Sequence, residues 1–132
     1  MSINFKELRC GNWVDGGTNG NLYYQIKPSD FVNTDFSKTN PIPLSAEILK
    51  ACGFEYGQYV IDAHWWYRLV GIKTNNGKIV TFELNLFKSD GDKGWGINLE
   101  EQYFGYCHSL HQLMNIYHSI TTEELTFKLS LI

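Results

Sequence analysis

The chain has 132 residues, a formal net charge of −3 and 43% hydrophobic residues. That length predicts one domain, burying roughly 65–70% of the surface its unfolded chain exposes. Its eleven Lys and Arg are scattered among fourteen acids, which excludes a general nucleic-acid binder, because phosphate affinity needs clustered positive charge. No apolar run approaches the ~18 residues of a membrane span, and the first residues lack the apolar stretch of a secretion signal. Cys10, Cys52 and Cys107 are far apart and form no CxxC pair. They predict free, buried thiols and a cytoplasmic setting.

The first forty residues read as irregular and β-rich. A short strand starts in Gly11-Asn12-Trp13-Val14, a turn or loop fills Asp15 to Asn21, and a second strand covers Leu22 to Ile26. Asp30 to Lys38 carries no assignable pattern. Pro41 and Pro43 then lead into a short helix from Ala46 to Cys52. Ser45 is its N-cap, Leu44 and Leu49 stand at hydrophobic-staple positions, and Gly53 can close it in the left-handed conformation. The strongest β signal is Asn75-Asn76-Gly77-Lys78, a type I′ hairpin turn. Its register places Asn75 opposite Lys78, Leu69 opposite Leu84 and Tyr67 opposite Leu86. One face then carries Tyr67, Leu69, Val80, Phe82, Leu84 and Leu86 as core. The other carries Trp66, Arg68, Val70, Glu83 and Asn85. Further strands are expected at Trp95 to Leu99 and Tyr103 to Tyr106. A closing helix is expected from His108 to Ile120, with Leu110, Leu113, Met114 and Tyr117 facing the sheet. Leu125 to Leu129 alternates like a last strand. The sum is an α+β fold, an antiparallel β-sheet with two short helices packed on it.

Three segments carry a resemblance. Glu7-Leu8-Arg9-Cys10-Gly11-Asn12-Trp13-Val14 is similar to an "NELRIGNxV" pattern, Pro41 to Phe54 to "PIPLTEExLxxxGF", and Leu110 to Leu125 to "VHxLQNLYxxLTGxEL". Together they resemble a family of small uncharacterised proteins common in Bacteroidetes genomes and their phages. The matches cover under a third of the chain. Met114 replaces the pattern's Gln, and Thr122 replaces its Gly, which weakens the case for a left-handed helix exit there. The resemblance implies an accessory protein of phage or mobile-element type. It would be a binding module for a host protein or a small nucleotide-like ligand, such as a host-defence inhibitor. It carries over no catalytic residue.

Candidate site residues follow from chemistry. Trp66 beside Arg68 can stack a ring or anchor a partner. His111, Gln112, Asn115 and Ser119 lie near one helical face, where amides can read a ligand edge; a solvated face is the commoner origin of such a stripe. Cys107 and His111, or Met114 and His118, have helical ligand spacing. Zinc needs three or four donors, and neither His64 nor Glu100 is tied to them by spacing, so no metal or cofactor is expected. A small hydrolase using His108 or His111 with a carboxylate such as Glu100 or Glu101 is one alternative. A virion or assembly component, oligomeric through its sheet edges, is another.

Overall fold

The computed structural model describes residues 5–16, 23–33, 39–57, 65–75, 78–88, 94–99 and 102–131, without the side chains of 5, 32, 33, 65, 66, 71–75, 78–82 and 104. The protein is α+β, with a two-stranded and a five-stranded antiparallel sheet and short helices. The chain divides into two compact units, Met1–Pro43 with Ser109–Leu125, and Leu44–His108 with Thr126–Ile132.

In the first unit, β1 (Trp13–Asp15) pairs with β2 (Tyr23–Gln25), with Val14 opposite Tyr24. Leu8, Val14 and Ile26 form a small buried cluster, with Tyr24 packed against it. The unassigned stretch after β2 starts with a one-turn helix, α1 (Asp30–Asn33). The loop expected at 15–21 lies outside the described residues from position 17 onward.

The closing helix, α3, runs Leu110–Thr121 and packs on β1. It starts two residues later than expected because Ser109 is still extended, bridged to Pro43. Leu110, Leu113 and Met114 are fully buried along it, as their spacing predicts, whereas Tyr117 is only half-buried. The helix ends on Thr122 in the left-handed conformation, at φ 61°. The pattern's missing glycine therefore does not prevent this exit. Thr121 Oγ1 accepts from the Glu123 amide at 3.0 Å, and the Thr122 amide donates to His118 O at 2.7 Å. Holding a β-branched residue there costs roughly 1–2 kcal/mol. Thr122→Gly should therefore raise the unfolding free energy by about 1 kcal/mol, less the entropy glycine adds to the unfolded chain, as read by urea denaturation.

In the second unit, α2 (Ala46–Ala51) forms as its local signals require. Ser45 Oγ accepts from the Ile48 amide at 3.2 Å, Leu44 and Leu49 are buried, and Gly53 takes φ 93°. The sheet has the order β3 (Glu55–Tyr56), β4 (Trp65–Asn75), β5 (Lys78–Lys88), β6 (Trp95–Leu99), β7 (Gln102–Cys107). The hairpin has the expected register, Tyr67 opposite Leu86, Leu69 opposite Leu84 and Asn75 opposite Lys78. Its turn residues, 76 and 77, lie outside the described residues, as do the side chains of Val80 and Phe82. Tyr67, Leu84, Leu86 and Ile97 are buried on the core face, and Leu69 is half-buried. The Trp95 ring stands edge-on to Tyr67 at 5.8 Å, and its Nε1 donates to Leu44 O at 3.3 Å.

The alternating segment after the helix is not a strand. Leu125 and Phe127 are buried while Thr126 and Lys128 are exposed, so the period of two is real. Yet these residues join no sheet, the Lys128 amide donates to Ala51 O instead, and the chain ends in a 3-10 turn at Leu129–Leu131. Among the three cysteines, all free, Cys52 and Cys107 are buried, but Cys10 is exposed, contrary to expectation. Burial pushes the Cys52 thiol up to about 12, so it stays protonated at neutral pH. Among the described residues no helix is long and apolar enough to cross a membrane.

Candidate functional site

Two constellations stand out, one in each unit. The first is a hydrogen-bonded polar network. Asn115 on α3 is its centre. Asn115 Oδ1 accepts from Arg9 Nε at 3.1 Å and from Asn12 Nδ2 at 2.9 Å, and its Nδ2 donates to Glu7 O at 2.7 Å. The Arg9 guanidinium is also paired with both carboxylate oxygens of Glu124. Asn12 is completely buried, and its Oδ1 accepts from the Arg9 amide. A Cβ at Gly11 would sit 3.0 Å from the Glu124 carboxyl, so glycine there lets the carboxylate approach the backbone.

The network continues to a chain in which His111 lies between a hydroxyl and a carboxylate. Ser109 Oγ is 3.1 Å from His111 Nδ1, and His111 Nε2 is 3.3 Å from Glu7 Oε2. The order hydroxyl, imidazole, carboxylate is that of a nucleophile, base and acid. The exposure runs the wrong way for catalysis, however. Ser109 and His111 are 4% and 2% exposed, while the Glu7 side chain is 48% exposed. A substrate would meet the acid end and not the hydroxyl. The arrangement instead satisfies buried polar groups and fixes the first turn of α3 to the chain's start.

Burial pushes the His111 imidazole below its ordinary value of 6.5, against the hydrogen bond and charge of Glu7, which push it up. The unfolded chain then takes up a proton more readily than the folded one. Stability should be highest above pH 6.5 and fall as pH drops below it, until folded His111 itself titrates. Denaturant midpoints at pH 8 and pH 5.5 should differ in the native protein and differ less in His111→Gln.

The sequence candidates distribute as follows. His111 is buried in the chain just described, with Glu7 as its carboxylate; Glu100, Glu101 and His64 lie outside the described residues. His108 is exposed, its ring over Gly94. Asn115 is engaged within the network, Gln112 is half-buried, and the exposed Ser119 hydroxyl donates to Ile116 O at 2.7 Å. The stripe on α3 is therefore divided between internal bonding and solvent. Among the described residues no three His, Cys, Asp or Glu side chains group as a metal site.

The second constellation is the face of the five-stranded sheet opposite its core. Directly paired residues share a face. Arg68 opposes Asn85, Asn85 opposes Asn98, and Asn98 opposes Tyr103, giving one row across four strands. The next row holds position 66, then Phe87, Gly96 and Tyr106. The Trp66 side chain itself lies outside the described residues. Arg68 is exposed and has no ion pair among the described residues. Val70, Tyr103 and Tyr106 are 55%, 56% and 61% exposed. The rings of Tyr103 and Tyr106 meet edge-to-face at 6.2 Å, and Phe87 lies 6.3 Å from Tyr103. Gly96 is needed here, since a Cβ would run into the Phe87 ring.

Tyr103 and Tyr106 are three apart, so a regular strand would send them to opposite faces. A β-bulge prevents this. The register moves from Ile97 opposite Gly105 to Asn98 opposite Tyr103, leaving Phe104 as an extra residue. Gly105 takes φ 105°, and among the described residues nothing lies within 4 Å of where a Cβ would stand, so glycine serves backbone conformation there and not packing. Sequence alternation found Arg68 but missed both tyrosines and Asn98. The one signal for them was a glycine inside a strand pattern.

The chain has no match among protein-family models, curated proteins or solved structures.

Proposed function

We propose that this protein is a non-catalytic binding module whose recognition surface is the face of the five-stranded sheet opposite its core. The observation that carries this reading is the bulge in β7. It spends one residue and a left-handed glycine to bring two tyrosines, each more than half exposed, beside Phe87 and onto the face that also carries Arg68. Bulges that re-aim side chains are typical of functional edges, and exposed Tyr and Arg are the residue types that dominate binding energy. The resemblance to phage and mobile-element accessory proteins supports a binding role. The burial of Ser109 and His111 weighs against hydrolysis.

The test is a thermal-shift screen of nucleotides, peptides and glycans against the native protein and Tyr103→Ala/Tyr106→Ala in parallel. Both tyrosines are exposed, so the double variant should keep its own melting temperature within a few degrees. A ligand of this face should stabilise the native protein and leave the variant unshifted. The reading is wrong if no ligand separates the two proteins.

A further inference from the structure

We draw no further inference here: the strongest candidate, the exposed aromatic patch that Tyr103 and Tyr106 form with Phe87 on the five-stranded sheet, belongs to the site already described, and nothing in the structure shows what covers it.

Discussion

Leu84→Ala should destabilise the protein by about 2–5 kcal/mol, the range for deleting a large side chain from a closed core. Leu84 has no exposed surface and lies in the middle of the sheet, opposite Leu69 on one side and Leu99 on the other. Ladder hydrogen bonds hold the backbone of three strands around it, so the cavity cannot collapse without breaking register. Urea denaturation of the native protein and the variant measures the loss. Val70→Ala is the matched control, since Val70 is 55% exposed on the opposite face of the same hairpin and should shift stability by less than about 0.5 kcal/mol. A Leu84→Ala effect as small as the control's would contradict this register.

Asn115→Ala should cost about 2–4 kcal/mol, although Asn115 is itself only partly buried. The loss arises in its partners. The buried Asn12 amide and the Arg9 Nε both lose their acceptor, and Glu7 O loses its donor. Leaving buried polar groups unpaired costs more than the bonds themselves contribute. Ser119→Ala on the same helix removes only a local bond from an exposed hydroxyl, so it should be near neutral. If the two variants melt alike, the network does not hold α3.

What could be read in the sequence was whatever short-range physics determines. The hairpin register followed from Asn-Gly turn chemistry and alternation. α2 followed from Ser45, Leu44, Leu49 and Gly53, all within one turn of its ends. What could not be read depended on distant partners. Arg9, Asn12 and Glu124 look like ordinary surface polar residues, and Asn115 like an amide open to a ligand, until the fold joins positions up to 115 apart. The Leu125–Phe127 alternation lacked a neighbouring strand, and period alone does not supply one. At the candidate site, Arg68 was visible because β4 is regular, whereas Tyr106 was hidden because β7 is not. Thr122 had the opposite fault. Its identity argued against a left-handed exit that local hydrogen bonds nonetheless stabilise.

The two compact units interrupt one another along the chain, and this orders their birth on the ribosome. The strands of the five-stranded sheet are complete once Cys107 has been made. The β1–β2 unit begins first but must wait for α3, since Asn12 finds Asn115 only 103 residues later. At translation speeds of about 5–20 residues per second, that wait lasts about 5–20 s. During it β1 lacks the helix it packs against, and the cell's chaperones and proteases are ready to take such a segment. Synonymous codons that slow synthesis between β2 and α3 should therefore lower soluble yield without altering a single residue.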